Sequence, residues 1–580
     1  MELKVSEFSK TILTHQLTPT GPLPAVLDPD GVYPYQSFCE TSTRPVLKKY
    51  DMIKLENAYL SVIICPDLGG KVYSIFHKES GREILYVPDV IRASRILPRF
   101  SFVAGGIEVS FPISHTPSQN EIVCCDIHKG NDRIYVAVGE REIKYGMQWT
   151  VEYSLGQHDR FITQRTVFKN PTQEAHPWMS WSNAAVPAFE DTEFHFPGGT
   201  VLMHSDALKT IDWESEGPTA NRDIRMMTGY FWLNPDVNAF GCYSCSNKTG
   251  LYHTGEREQV PGIKLWSYGC GRDLDWAYAH ALKKQPYLEI QAGPIIDQSV
   301  RKQLPPGQVH QHTEYWFPTD KKMDIRKLKV PEVNLRDISE IPLFSFARKN
   351  EVEVWQSLVG AYEKTNVSGI PVPPDVEDGV WPPGGLPNLG AAFEWVIECD
   401  RSAGASIWQL YYGVWLLAEN RIDEGIRMLS ESGLDMACAV LGRVYFRNGK
   451  FRKAASCYDS LGDEAFKNHP QVVVERDRAL AEIGPETLKK RMYWLDEVNA
   501  LDDDFIIERR VDMLIDLELF DEARTLLLET GFQKVHQRYE RKKLWERLCF
   551  GTNRAVEPYP ANLGEDGLAK FGTYREFDEK

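Results

Sequence analysis

The chain changes character near residue 335, and this change constrains its fold more than any other feature of the sequence. Before it, short β-rich segments alternate with turn-forming residues, as in AYLSVIICPDLGGKVYSIFHKESGREILYV (58–87) and DRIYVAVGEREIKYGMQWTVEYSL (132–155). Pairs such as Gly69-Gly70 and Asn170-Pro171 indicate the turns. Many short strands over about 300 residues, without helical patterns between them, predict a large antiparallel β-sandwich rather than an α/β sheet.

After about residue 345 the pattern becomes helical, interrupted by a loop rich in Pro and Gly at 369–390. Three later segments resemble one another: NRIDEGIRML (420–429), GKFRKAASCY (449–458) and LFDEARTLLL (519–528). Each places an apolar residue three positions before a small one, namely Ile422/Gly425, Phe451/Ala454 and Phe520/Ala523. With LGRVYFRNG and a following proline, they resemble degenerate tetratricopeptide repeats, in which small residues lie where paired helices touch.

These patterns predict three regions: a β-sandwich at 1–335, a linker and helical segment with its Pro/Gly-rich loop at 336–395, and degenerate helical repeats with a tail at 396–580. We expect the sandwich to carry the catalytic or sugar-binding site. Helical repeats fused to an enzyme often brace it or assemble it, so we expect a homo-oligomer formed through the repeats more than a peptide-binding groove.

Composition excludes several classes of partner. The 580 residues carry a formal net charge of −16 and contain no basic tract, which disfavours nucleic acid as the main partner. No run approaches the roughly 18 apolar residues of a transmembrane helix, and the N-terminus lacks the apolar core of a signal peptide. The 11 cysteines are scattered, and the CxxC of Cys242 and Cys245 has no partner pair. We therefore expect a reduced, cytoplasmic protein with no membrane partner.

Aromatic residues in polar company favour a small carbohydrate as the substrate. The chain has 15 Trp and 25 Tyr, with dense clusters in HPWMSWSNAAV (176–186), KLWSYG (264–269) and EYWFP (314–318). Aromatic rings stack on the apolar faces of sugars, while neighbouring Asn, His, Lys and Glu side chains bind hydroxyl groups. The competing interpretation is that a large sandwich simply buries its tryptophans.

Two strand patterns each present a carboxylate suited to chemistry. In YLEIQAGP (287–294), Glu289 shares a face with Tyr287 and Gln291, opposite an apolar face. In FVAGGIEVSFPISH (102–115), Glu108 follows a Gly-Gly bend and is flanked by apolar residues. Either Glu would be an ordinary surface residue if its face were open to solvent.

A third strand, HQHTEYWFP (310–318), places His310, His312 and Glu314 on one face. Such a set can ligate a metal. The alternative interpretation is that this segment, which follows a turn, is simply the last strand of the sandwich. We expect no metal and no other cofactor, with a divalent cation left open. No GxSxG elbow and no Gly-rich phosphate loop is present, so carboxylate and histidine chemistry remains.

Segment 55–86, LENAYLSVIICPDLGGKVYSIFHKESGREILY, resembles the opening hairpins of galactose-mutarotase-like sandwiches. GGIEVSFPISH, WMSWSNAAV, GIKLWSYG, PYLEIQAGPIIDQ and LPPGQVHQHTEYWFP resemble segments of a bacterial family of unknown function. In that family this sandwich, here roughly 30–320, precedes tetratricopeptide repeats. The wider superfamily includes aldose 1-epimerases, glycoside hydrolases and polysaccharide lyases, so the resemblance implies a carbohydrate-active protein.

In the epimerases a His acts as general acid and a Glu late in the domain acts as general base. Glu289 matches that Glu by its order along the chain. The epimerase His motif is not clearly present, and His176, His195 and His253 are the stand-ins that the sequence offers.

The leading hypothesis is a glycoside hydrolase acting on a small oligosaccharide or glycoside, with Glu108 and Glu289 as the catalytic pair and Glu314 as a substitute for either. The expected sugar contacts are Lys264, Trp266, Trp181, Asn183, His253, Gln291, His312 and His115. One alternative is an aldose epimerase, which needs a His/Glu pair rather than two carboxylates. Another is a non-catalytic sugar-binding sandwich joined to a repeat scaffold.

Overall fold

The computed structural model describes residues 3–28, 31–96, 99–115, 117–271, 274–278, 280–399, 404–498, 502–534, 538–552, 557–560 and 563. They form two compact units, a sandwich unit within 1–16, 44–97 and 101–347, and a helical unit within 17–43, 98–100 and 348–580. The division differs from the predicted regions 1–335, 336–395 and 396–580. Residues 348–395 and the early segment 17–43 both belong to the helical unit.

Segment 17–43 joins the helical unit because its side chains complete a helical core. Leu23 and Tyr33 are buried in one apolar cluster with residues of the helices. The Leu23 N–H donates to Gln471 Oε1 at 3.1 Å, and the Tyr33 hydroxyl donates to the Pro382 carbonyl at 2.8 Å. The residues of the first pair are 448 positions apart in the chain, so the local sequence around Leu23 does not predict this contact.

The strands, in chain order, are β1 (Lys4–Thr14), β2 (Leu17–Pro19), β3 (Phe38–Thr41), β4 (Val46–Glu56), β5 (Leu60–Cys65), β6 (Lys71–His77), β7 (Arg82–Glu83), β8 (Val90–Ile91), β9 (Ala93–Ile96), β10 (Arg99–Val103), β11 (Ile107–Val109), β12 (Cys124–Lys129), β13 (Arg133–Arg141), β14 (Gln148–Gly156), β15 (Ile162–Lys169), β16 (His176–Trp178), β17 (Ser182–Pro187), β18 (Thr192–His195), β19 (Thr200–His204), β20 (Leu208–Asp212), β21 (Thr228–Trp232), β22 (Ala239–Ser244), β23 (Thr249–Gly255), β24 (Gly262–Ser267), β25 (Tyr287–Gly293), β26 (Lys302–Leu304) and β27 (Val309–Thr319). The helices are α1 (Trp213–Glu216), α2 (Leu274–Tyr278), α3 (Lys349–Glu363), α4 (Leu389–Cys399), α5 (Gly404–Ala418), α6 (Ile422–Ser432), α7 (Asp435–Arg447), α8 (Phe451–Asp459), α9 (Glu464–Lys467), α10 (Pro470–Ile483), α11 (Leu488–Glu497), α12 (Asp504–Asp516), α13 (Phe520–Glu529) and α14 (Arg538–Gly551).

Two sheets form the sandwich. The large sheet has the order β20-β19-β21-β24-β25-β17-β11-β6-β5-β4-β1-β8, and the second sheet has the order β12-β13-β14-β15-β27-β23-β22-β18. One apolar cluster joins the sheets, with Ile107 and Ile290 from the large sheet and Val138, Trp149 and Trp316 from the second. Their neighbours along each strand point to the opposite face, as the period of two requires. The predicted fold class, a large antiparallel β-sandwich followed by a helical repeat domain, is confirmed.

Small residues occupy the helix crossings of the helical unit, as the repeat pattern predicts. A Cβ on Gly425 of α6 would lie 2.8 Å from Leu417 Cδ2 of α5, and one on Gly442 of α7 would lie 2.6 Å from the Tyr458 ring of α8. Ala454 and Ala523 are fully buried. The small residues therefore let consecutive helices pack closely, which is a structural role and not a catalytic one.

Two further features concern membrane-spanning helices and the cysteines. Among the described residues, no helix combines the length and the apolar character needed to cross a bilayer. All eleven cysteines lie in the described part of the chain and have free thiols.

Alanine substitutions at Gly106 and Gly81 measure how strictly the bend before β11 requires glycine. The φ of Gly106 is +75°, and a Cβ would lie 2.2 Å from the Val72 carbonyl oxygen. Gly81 has a similar φ of +65° but open space around its Cβ position. We expect Gly81→Ala to cost about 1–2 kcal/mol through the left-handed backbone alone, and Gly106→Ala to cost a further ~1–3 kcal/mol through overpacking.

Calorimetric unfolding of the full chain and both variants measures this difference on the transition of the sandwich. Equal losses in the two variants would contradict a steric requirement at Gly106.

Candidate active site

A row of five residues crosses the outer face of the large sheet, the face that points away from the second sheet. Glu108 on β11 lies opposite Asn183 on β17, which lies opposite Gln291 on β25. Gln291 lies opposite Lys264 on β24, and Lys264 lies opposite Phe231 on β21. We call these five residues the outer-face row. Because their neighbours along each strand supply the interior core, the row itself points outward.

Glu289 and Trp266 extend this face by one step. They lie directly opposite each other on β25 and β24, two positions from Gln291 and Lys264 respectively. Glu108 and Glu289 are each 4% exposed, and Trp266 is half-buried. The structure therefore places both predicted carboxylates and Trp266 on one face of one sheet. Neither Glu108 nor Glu289 is an exposed surface residue.

A Gly-Gly bend and a buried lysine determine the path of the backbone just before Glu108. Gly105 and Gly106 have φ values of +90° and +75°, a left-handed conformation that favours glycine. The Lys71 ammonium on β6 donates to the carbonyls of Val103 and Gly105 at 2.6 and 2.7 Å. Burial lowers the pKa of Lys71 to about 8, although the nearby Glu108 and Glu289 charges oppose the fall. Lys71 thus holds the bend and adds a positive charge beside both carboxylates.

His115 contacts Glu108 directly. Its Nδ1 lies 3.3 Å from Glu108 Oε2, and the ring packs edge-on against Phe102 with centroids 4.9 Å apart. The Ser101 hydroxyl donates to the His115 carbonyl at 3.1 Å. His115 has a φ of +52°, an unfavourable conformation for a residue with a Cβ, of the kind often found at functional sites.

Glu289 has a different environment from Glu108. Gln291 Nε2 donates to Glu289 Oε2 at 2.8 Å. Burial raises the pKa of Glu289 above its ordinary value, and the nearby His115 and Lys264 charges oppose this rise without cancelling it. A carboxyl with a raised pKa retains its proton to higher pH, which suits a general acid.

Lys264 is enclosed by aromatic rings. Its Nζ lies 4.9 Å from the Phe231 ring centroid, 5.0 Å from that of Trp266 and 5.9 Å from that of Trp181. The side chain is only 3% exposed. Burial lowers the pKa of Lys264 to about 7, while the Glu289 and Glu108 charges favour its protonated form. The ring faces also stabilise the ammonium through cation–π interactions.

Three buried oxygens of the outer-face row accept no hydrogen bond from the described residues: Glu108 Oε1, Asn183 Oδ1 and Gln291 Oε1. A buried acceptor without a donor costs about 1–3 kcal/mol. Three such acceptors across neighbouring strands form a set that hydroxyl groups can satisfy by donating to them.

Tyrosines form a wall beside Glu289. The Tyr86 and Tyr287 rings stack with centroids 4.6 Å apart, and the Tyr268 and Tyr287 hydroxyl oxygens are 3.0 Å apart. The Glu289 charge contributes to the raised pKa of both Tyr268 and Tyr287, after burial. Sequence reasoning missed Lys71, Phe231, Tyr86 and Tyr268 as site residues. Lys71 directly follows a turn signal, Gly69-Gly70, and Tyr268 lies in an aromatic cluster already noted in KLWSYG.

Glu314 is on β27 of the second sheet, and its side chain points into the interior between the two sheets. It is fully buried, and its carboxylate is 3.3 Å from His253 Nε2 and 3.4 Å from His312 Nε2. The Gln164 amide and the Ser182 hydroxyl donate to Glu314 Oε2 at 2.6 and 2.7 Å. Glu314, His253 and His312 are therefore separated from the outer-face row, which corrects the prediction that Glu314 substitutes for either carboxylate and that both histidines contact a sugar.

The other histidines considered from the sequence also lie away from the row. The Thr172 hydroxyl is 2.7 Å from His176 Nε2 on β16, and the Tyr252 hydroxyl is 2.6 Å from His195 Nδ1 on β18. His310 packs against Trp178 with centroids 4.7 Å apart. Within the described ranges, no three His, Cys, Asp or Glu side chains are arranged to hold a metal ion.

Comparisons with known proteins match the chain over both units. A family model described as a domain of unknown function (DUF5107) matches residues 27–319, and a model of a C-terminal domain matches residues 355–548. The crystal structure of a TPR-domain containing protein from Parabacteroides distasonis is similar at 52% identity, with a TM-score of 0.93 and 98% of each chain covered.

More distant matches cover about half of the chain. A galactose mutarotase-like protein from Clostridium acetobutylicum matches at 15% identity and a TM-score of 0.36, over 46% of this chain and 95% of that one. A galactose mutarotase related enzyme from Lactobacillus acidophilus matches at 13% identity and a TM-score of 0.34, over 48% of this chain and 100% of that one.

The interior cluster around Glu314 makes the sandwich sensitive to acid. Burial by itself raises the pKa of Glu314, but the His253 and His312 imidazoles outweigh burial and hold the pKa at about 2. A carboxyl whose pKa is lower in the folded state stabilises the fold above its unfolded pKa, and this contribution is lost as pH falls through the folded pKa. Between pH 6 and pH 2 we expect the wild type to lose about 3 kcal/mol more than Glu314→Gln.

Thermal unfolding of both proteins across this pH range measures the difference in slope. Glu258→Gln, at an exposed turn position, is the control and should follow the wild type. Parallel pH profiles for the wild type and Glu314→Gln would contradict the role of the cluster.

Proposed function

Because the chain belongs to the family defined by the domain of unknown function DUF5107, whose name states no activity, we propose its function from the site itself. The protein is a carbohydrate-active enzyme that hydrolyses the glycosidic bond of a small oligosaccharide or glycoside. One observation carries this proposal: Glu108 and Glu289 are buried on one face of one sheet in different electrostatic environments. Two carboxyl groups with separated roles are what glycosidic bond cleavage requires.

Glu289 is the general acid. Its raised pKa lets the carboxyl retain a proton to higher pH than an ordinary glutamate, and the hydrogen bond from Gln291 to Oε2 leaves Oε1 to carry that proton. In the reaction this proton passes to the glycosidic oxygen as the bond to the anomeric carbon breaks, so the leaving group departs as an alcohol.

Glu108 is the general base. His115 contacts one of its oxygens at 3.3 Å, and Lys71 adds a positive charge nearby. Glu108 removes a proton from a water molecule, whose oxygen then bonds to the anomeric carbon. Strand β17 lies between the strands that carry the two carboxyl groups, and Glu289 is offset by two positions along β25, so the two α-carbons are about 12 Å apart. This backbone separation leaves room for a water between the two side chains, so we propose an inverting mechanism.

The rest of the face binds the sugar. Trp266 is half-buried and sits opposite Glu289, where its ring can stack on a pyranose. The oxygens of Asn183 and Gln291 accept hydrogen bonds from hydroxyl groups, since no described residue donates to them. Trp181 packs behind them with Phe231 and shapes the apolar side of the site.

The proposal is tested with a panel of chromogenic glycosides and natural oligosaccharides. We expect Glu108→Gln and Glu289→Gln each to lower kcat by about 10²–10⁴-fold on the substrate that the wild type hydrolyses. The exposed Glu258→Gln should retain wild-type turnover. The sugar product should first appear, by proton NMR, with the anomeric configuration opposite to that of the substrate.

Wild-type turnover in both site variants would refute the carboxylate pair. Retention of configuration would refute the role of Glu108 as a base for water and leave it as a nucleophile.

An aldose 1-epimerase is the second candidate, favoured by His115. Its imidazole touches Glu108, and its charge acts on Glu289, so a His/Glu pair is also present on this face. We expect His115→Asn to abolish accelerated mutarotation in polarimetry if this candidate is correct. The same variant should keep measurable glycoside turnover if the enzyme is a hydrolase.

Asparagine is chosen because it tolerates the left-handed backbone at position 115. A wild type without mutarotase activity on a panel of aldoses would eliminate the epimerase. If the protein shows no activity in either the glycoside or the aldose assay but still binds sugars, the sandwich is a binding module.

A further inference from the structure

Lys264 differs from the other buried lysine of the site in what surrounds its ammonium. The Lys71 ammonium donates to two backbone carbonyls at 2.6 and 2.7 Å. The Lys264 ammonium instead faces three aromatic rings, and among the described residues no carboxylate forms an ion pair with it. Its charged neighbours at longer range are Glu289 and Glu108. Lys264 is therefore a cation near one end of the outer-face row, next to Phe231, with no ion-pair partner among the described residues.

The charges on this face do not balance when Glu289 carries its proton. Lys71 and Lys264, when protonated, are then two cations against one anion, Glu108, and His115 adds no negative charge. An unpaired charge in a buried site is costly, and a group of opposite charge relieves that cost. The face therefore has room electrostatically for one further negative charge, and Lys264 is the group left to receive it.

The position of Lys264 in the row indicates where that charge belongs on the ligand. Asn183 and Gln291, whose oxygens suit hydroxyl donors, lie between Glu108 and Lys264. A sugar lying along the row with its anomeric carbon near the two carboxyl groups would present a substituent at its other end to Lys264. The ammonium is a point charge that binds an anion without the fork geometry of arginine.

We propose that Lys264 binds an anionic substituent of the sugar, so that the substrate is an acidic sugar carrying a carboxylate or a sulfate or phosphate ester. The proposal rests on the proposed function for the orientation of the sugar. The surrounding rings of Phe231, Trp266 and Trp181 exclude water around this contact, which strengthens it. A neutral sugar leaves the same ammonium without a partner, so Lys264 also selects against neutral substrates.

Binding separates this proposal from the proposed function because it needs no turnover. Titration calorimetry on the full-length Glu108→Gln variant is carried out with matched pairs: glucose and glucuronate, galactose and galacturonate, mannose and mannuronate. Each hexose 6-sulfate and 6-phosphate forms a further arm, which distinguishes the source of the charge. We expect at least one acidic sugar to bind 10-fold or more tightly than its neutral counterpart.

Adding Lys264→Met to this background should remove that preference, lowering the affinity for the acidic sugar by 10-fold or more and the affinity for the neutral sugar by much less. Lys264→Arg should retain much of the preference, since it keeps the charge, and it covers the case in which the Met variant does not fold. Lys284→Met, at an exposed position, should change nothing.

Equal binding of acidic and neutral sugars, or no binding by any acidic sugar of the panel, would overturn the proposal. So would an equal loss for both sugar classes in Lys264→Met, since Lys264 would then act only through Glu289. An acid preference without any glycoside turnover would instead support Lys264 as an anion-binding residue and refute the hydrolase.

Discussion

The period-two alternation of β11, β17, β24 and β25 determines both the core and the site of this protein. Ile107, Ala184, Leu265 and Ile290 point into the sandwich, where they meet the second sheet in one apolar cluster. Every intervening side chain must then point to the outer face, which fixes the polar row there. A slip of one residue in any of these strands would place a polar side chain of the outer face in the apolar core, a carboxylate in the case of β11 and β25, so burial of the core enforces the register of the site.

Strand β17 links two polar clusters on opposite sides of the same sheet. Ser182 points inward and donates to Glu314, while the next residue, Asn183, points outward and lies between Glu108 and Gln291. The interior carboxylate is held ionised by two imidazoles, whereas the outer Glu289 has a raised pKa because nothing comparable offsets its burial. Two buried glutamates in one sandwich thus acquire opposite protonation behaviour from their neighbours alone, and only the outer pair faces the proposed ligand.

The sequence predicts the faces of individual strands well and their partners poorly. Alternation alone places Glu289 with Gln291 and puts Glu108 opposite an apolar face, because a period of two is local. Strand order decides whether the polar sides of two strands lie next to each other on one side of a sheet. Strands β11 and β25 become neighbours of β17 only through pairings between distant parts of the chain. Glu314 follows an equally clear alternation, yet its polar face is the interior one, since His253 and Gln164 come from other strands to satisfy it. The segment 17–43 escapes prediction for the same reason, as its partners lie hundreds of residues away.

A site of this kind opposes the stability of the sheet that carries it. Glu108, Lys264 and Glu289 are nearly inaccessible to solvent, three polar oxygens lack donors among the described residues, and His115 holds a left-handed backbone. Each of these features is unfavourable in the free protein, and the apolar cluster on the other side of the same strands offsets them. A ligand with hydroxyl donors and one negative charge would relieve these costs on binding. The features of this face that oppose stability are therefore the ones from which its ligand is proposed.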